Sequence, residues 1–168
     1  MATGTIPAPG LVVNRGIYAV LGIRALVLLP FQPGVECFYS TPDLSEVSTL
    51  GISVAGGVLL TGRTPGQLTQ QAQTTQQGAL VSQKLNFAAP DPTDALAGPV
   101  LRLVGQPVHG LAQDLNGRWW FIGQEFGLTL EVQHTPGIEV SLALAAQSTQ
   151  QAPRVAVALI PGFLSLLS

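Results

Sequence analysis

Charge is the scarcest commodity in this chain. Only 10% of its 168 residues are Asp, Glu, Lys or Arg, against roughly 25% in ordinary soluble domains, while 46% are hydrophobic. A free domain of this size normally relies on a charged skin to stay apart from its copies. The shortfall points either to a membrane or to a surface covered by other protein.

Long apolar runs are missing too. The longest, Ile17 to Phe31, is broken by Gly22, Arg24 and Pro30, and the run from Val155 to Leu167 is broken by Pro161-Gly162. Both fall short of the ~20 residues of a spanning helix. Aromatics make up only 6%, too few for the girdles of a membrane barrel. Residues 1–10 carry neither a basic nor an apolar segment, so no secretory signal is read there. The single cysteine, Cys37, excludes an internal disulfide framework and any multi-cysteine metal site. Formal net charge is −2 with no basic cluster, which argues against specific nucleic-acid recognition, because neutralising phosphates takes grouped Lys and Arg.

What is present is punctuation and alternation. Nineteen Gly and thirteen Pro leave few windows for a helix. Val81, Leu85 and Phe87 alternate with polar neighbours, as do Leu128, Leu130 and Val132, then Ile138, Val140, Leu142 and Leu144, and finally Val155, Val157 and Leu159. This period of two predicts half-buried strands. Leu11 to Leu29 reads as one or two strands buried on both faces, with Gly16 and Gly22 as bulges or kinks. Asn116-Gly117 predicts a two-residue type I′ hairpin turn between strands at 107–114 and 119–123, and Thr135-Pro136-Gly137 a second turn. Together they predict a four-stranded meander over 107–145, with Pro153 to Ile160 closing the sheet. Residues 42–47 and 91–96 could each start a short helical turn, and the one short helix at most is assigned to 91–98. The fold class is therefore all-β: one domain, an antiparallel sandwich or small barrel with at most one short helix. Val81, Leu85, Phe87, Leu128, Leu130, Val132, Val140 and Leu142 form its expected core.

Three segments are read as arms or loops: 1–10, 66–78 and 161–168. The middle one holds six Gln and three Thr with almost no apolar content, so it is expected as a loop or as an arm ordered against a neighbouring subunit. Gln67, Gln70, Gln71, Gln73, Gln76 and Gln77, with Phe163 and Leu164 of the tail, are the candidate inter-subunit contacts. Adjacent Trp119 and Trp120 must face opposite sides of a strand, one in the core and one toward another sheet or subunit.

Candidate chemistry is thin. Gly57 to Thr64 has P-loop spacing with Arg63 in the lysine position, but Pro65-Gly66 follows where a helix must begin. His109 and His134 lack metal-ligand spacing and are expected at the surface or an interface. Cys37 reads as a buried, inert thiol. Asp114 with Glu125, or Glu131 with Glu139, could form carboxylate pairs, though carboxylates on a strand are commonly just its solvated face. No G-x-S-x-G elbow is present. No enzyme, cofactor or metal site is expected.

One stretch resembles a known class. Thr74-Thr-Gln-Gln-Gly78 leads into Ala79 to Pro90, and Val108-His-Gly-Leu-Ala-Gln-Asp114-Leu-Asn-Gly117-Arg-Trp-Trp-Phe-Ile-Gly123 leads into Gly127-Leu128. This resembles the small tail-structural, tail-tube-like proteins of tailed bacteriophages and prophages, over about a third of the chain. The resemblance implies a non-enzymatic virion subunit made in the host cytoplasm. It would assemble with its own copies and other virion proteins into stacked rings around a passage for DNA. Other virion elements (head–tail connector, baseplate, capsid decoration) and a β-sandwich adhesion or carbohydrate-binding module are the alternatives.

Overall fold

The computed structural model describes residues 16–39, 46–76, 78–148, 152–155, 160 and 163. They form ten strands and one short helix. In chain order these are β1 (Gly16–Pro30), β2 (Glu36–Tyr39), β3 (Glu46–Gly51), β4 (Val58–Thr75) and β5 (Gly78–Pro90), then α1 (Ala97–Leu101). β6 (Val108–Asp114), β7 (Trp119–Ile122), β8 (Thr129–Thr135), β9 (Glu139–Ser148) and β10 (Arg154–Val155) follow. The fold is all-β, and the strands make one sheet in the order β2-β3-β10-β7-β6-β1-β4-β5-β9-β8.

Half of that sheet curls until its end meets its middle. Val108 of β6 and Leu128, next to β8, exchange backbone hydrogen bonds of 3.1 and 2.6 Å. The bridge closes β6, β1, β4, β5, β9 and β8 into a barrel. Its filling is the larger core, built from the inward residues of an alternating pattern: Leu26, Leu28, Leu60, Leu68, Leu85, Phe87, Leu130, Val140, Leu142 and Leu144. Seven of the eight expected core residues are buried, and the eighth, Val132, packs against them half-buried. Ala97 and Val100 of α1, with Leu103 after it, belong to the same core.

The other strands, β7, β10, β3 and β2, cover the outer face of β1. Ala25, Val27 and Leu29 there meet Val47, Leu50, Leu111, Trp119, Phe121 and Phe163 in a second core. This explains the apolar stretch from Ala25 to Leu29 in β1: its two faces fill two cores. Its irregularities fall between Ile17 and Ala19 and between Ile23 and Ala25, not at the expected Gly16 and Gly22. The second lets Arg24 reach solvent and bond the Gln113 amide oxygen at 3.1 Å. On β4 the same irregularity takes in Gly62 to Pro65. There a Cβ on Gly66 would collide with the backbone oxygen of Asn86, so only glycine allows β4 to pass so close to β5.

Several expectations are corrected. Residues 66–75 of the expected 66–78 segment are neither loop nor free arm. They belong to β4, paired with β1 on one edge as far as Ala72 and with β5 on the other as far as Thr75. No four-stranded meander forms over 107–145, because β7 lies beside β10 whereas β8 lies beside β9. β10 does not close the sheet; it bridges β7 and β3, parallel to the latter. Ile138 is 62% exposed, in the β8–β9 turn rather than in a strand. The helix starts at Ala97, not 91, because Asp94 sits at φ 59° and breaks the helical path. Asp91 instead accepts the Leu96 and Ala97 N–H groups with its two carboxylate oxygens. Glu46 and Val47 are in β3 rather than a helical turn.

The hairpin at Asn116-Gly117 exists but its turn differs. Gly117 has φ 84° and Asn116 does not share the left-handed region, so type I′ is ruled out. Asp114 accepts Gly117 N–H at its carbonyl and donates its own N–H to Arg118 O, the pattern of a type I turn with a glycine bulge. Its carboxylate fixes this form, accepting the N–H groups of Asn116 and Arg118 and the Trp120 indole N–H at 2.8, 3.0 and 3.0 Å.

Candidate interaction surface

The outer face of the barrel wall formed by β4, β5, β9 and β8 can be read row by row from strand register. Ala88, Ser141 and Gln133 form one row, and Gln67, Asn86, Ala143 and Glu131 the next. Thr69, Lys84, Ala145 and Thr129 follow, then Gln71, Ser82 and Gln147. None of the fourteen is buried, and only Lys84 and Glu131 are charged. Amides, hydroxyls and methyl groups cover the rest. Because Ala143 and Ala145 are short, β9 floors a shallow trough between longer side chains from β5 and β8. At its Gln147 end stands Phe126, 70% exposed.

The predicted contact residues divide sharply. Gln67, Gln71, Gln73 and Gln76 are exposed. Gln70 is not available for a partner. It points into the barrel, where its side-chain oxygen accepts the Ala152 N–H at 2.8 Å and faces the Gln83 amide at 3.5 Å. Gln83 in turn accepts the Gly123 N–H at 3.2 Å. Phe163 is likewise corrected: it is fully buried, edge-on to Trp119 with ring centroids 5.0 Å apart. Gln77 and Leu164 lie outside the described residues. Trp119 is the core tryptophan, and Trp120 is half-buried on the opposite face, tied to Asp114. The Gln70–Gln83 pair was missed by sequence reasoning, since an inward glutamine looks like any other member of a glutamine run.

The chemically capable side chains are engaged in structural roles. His109 is fully buried rather than at the surface. Its Nδ1–H donates to Gly123 O at 3.0 Å, Nε2 accepts the Gln32 N–H at 3.1 Å, and Phe31 and Phe121 flank the ring. Burial holds its pKa below the usual histidine value, opposed only in part by the carbonyl oxygens of Gln32 and Gly123, 3.3 and 3.0 Å from Nε2 and Nδ1. Cys37, half-buried on β2, has its thiol pKa raised by burial, which leaves it poorly nucleophilic. β2 and the His134-bearing β8 lie at opposite ends of the strand order.

The carboxylate pairs do not form either. Asp114 is occupied by its turn, while Glu125 accepts the Ser148 hydroxyl at 2.7 Å. Glu131 is opposite Ala143 and Glu139 opposite Thr135, about 13 Å apart along the ladder. The stretch 58–64 of the P-loop spacing is strand. Asp91, Asp94 and His134 gather at one edge, but hydrogen bonds within the chain account for them. Asp94 accepts from Gly137 N–H and from His134 at 2.8 and 3.0 Å, and the Gly137 bond is the first cause of its lowered pKa. These bonds tie the 91–96 loop to β8 and shield part of that strand's edge.

No known protein family, curated protein or solved structure matches this chain. Its own surface is therefore the guide to its role.

Proposed function

We propose that this chain is a non-enzymatic structural subunit that assembles with its own copies, in the manner of a tail-tube-like virion protein. The observation that carries the reading is the barrel wall of β4, β5, β9 and β8, with two charges among fourteen outward residues. Solvated surfaces hold roughly a quarter to a third charged residues. Interface centres, in contrast, are depleted in charge. The tail-protein resemblance of residues 74–128 supplies the virion assignment, with rings around a DNA passage as the assembly it implies. A slightly acidic chain with no basic cluster suits a passage that DNA slides through without sticking.

Size-exclusion chromatography with light scattering, followed by negative-stain microscopy, tests this. The expected result is rings or tubes, and a monomer of 17.5 kDa at every concentration would overturn it. Phe126, exposed beside an amide-lined trough, favours a carbohydrate-binding module as the second reading. That alternative predicts a monomer whose Phe126→Ala variant loses binding to a saccharide array.

A further inference from the structure

Lys84 and Glu131 are the two charges among those fourteen wall residues, Glu139 lying one row beyond them and Arg63 in the β4 irregularity, and neither Lys84 nor Glu131 has an ion-pair partner among the described residues. Lys84 is opposite Ala145 on one side of β9, and Glu131 is opposite Ala143 on the other. They therefore occupy the ends of a diagonal about 12 Å long across the trough. We propose that this wall docks a second copy of the chain, with Lys84 of each copy set against Glu131 of the other. The inference rests on the self-assembly reading and names its surface.

Two lone, opposite charges within an otherwise uncharged patch of fourteen residues suit an isologous contact, in which residue i meets j and j meets i. A two-fold axis lying in the interface, through the midpoint of the diagonal and perpendicular to it, brings each lysine over the partner's glutamate. Both ion pairs then form at once, while Ala143 and Ala145 allow the two backbones close approach. Size agrees as well. Four strands ~4.8 Å apart and about eight residues long give a wall of about 500 Å² in projection, on the order of the ~800 Å² a partner buries in a standard interface. Phe126 at the end of the trough adds the exposed aromatic that such interfaces favour. The pair is then the unit from which larger rings are built, with other surfaces making the remaining contacts.

Charge reversal tests the contact in the full chain. Lys84→Glu and Glu131→Lys each set like charges together twice per pair, and each is expected to raise the apparent dissociation constant about tenfold or more. The double variant restores opposite charges and should recover assembly. Both side chains are exposed, so circular dichroism should match the wild type throughout. The wild type should form assemblies with an even number of chains. Single variants that assemble normally, a double variant that fails to recover, or an odd-numbered wild-type assembly would each overturn this interface while leaving self-assembly standing. A wild-type monomer would overturn both.

Discussion

His109 shows how one residue links burial to a measurable property of the protein. Its ring fills a space between Phe31 and Phe121 while both nitrogens bond to backbone. That arrangement needs the neutral Nδ1–H form, and desolvation lowers its pKa in the native state. As pH falls through about 6.5, the unfolded chain takes up a proton that the native site resists, so native stability declines. Urea unfolding midpoints should fall between pH 7 and pH 5. In His109→Asn, which keeps a side-chain donor toward Gly123, the stability at pH 7 should be lower but its pH slope flatter. An unchanged slope would remove His109 as the source. The Asn116-Gly117 turn placed His109 on a strand, but neither its fully buried position nor its two backbone partners, 77 and 14 residues away, can be read locally.

At the scale of elements, β4 is the clearest case of local sequence misdirecting the reader. Its glutamines look like a solvated arm, yet Leu68, Gln70 and Ala72 point inward and Gln67, Gln71 and Gln73 outward. The period of two is there, but one of its three inward positions is polar. Gln70 is tolerated because Gln83 and Ala152 satisfy it, and both lie far along the chain. Deleting residues 67–77 therefore removes the strand joining β1 to β5 and should abolish folding. Loss of the β-sheet signal in circular dichroism is the expected readout. A soluble, folded deletion variant would show that β4 is dispensable after all. The 107–123 hairpin was far more legible, because Asp114 and Gly117 specify a turn from within it.

For the molecule as a whole, the governing fact is that β1 serves two cores. Ile23, Leu26 and Leu28 fill the barrel, while Ala25, Val27 and Leu29 fill the layer outside it. Either core unfolding alone would expose one face of a strand that holds the other together. Calorimetry should therefore show a single cooperative transition, with calorimetric and van't Hoff enthalpies equal. Two separable transitions would mean that the outer layer melts independently. The same architecture divides the surface: the β7-β10-β3-β2 layer covers β1, and none of the described residues covers the opposite wall of β4, β5, β9 and β8.

By itself, the sequence determined strand periodicity, most of the core, the hairpin sites and the poverty of charge, because each depends on neighbours a few residues apart or on composition. Tertiary structure decided the rest: the barrel closure at Val108 and Leu128, the course of β4, the burial of Gln70, His109 and Phe163, and the placing of Lys84 and Glu131 on one wall. Those features depend on which distant strands pair. Strand pairing minimises unsatisfied backbone and exposed apolar surface over the whole chain, a condition that no local window contains.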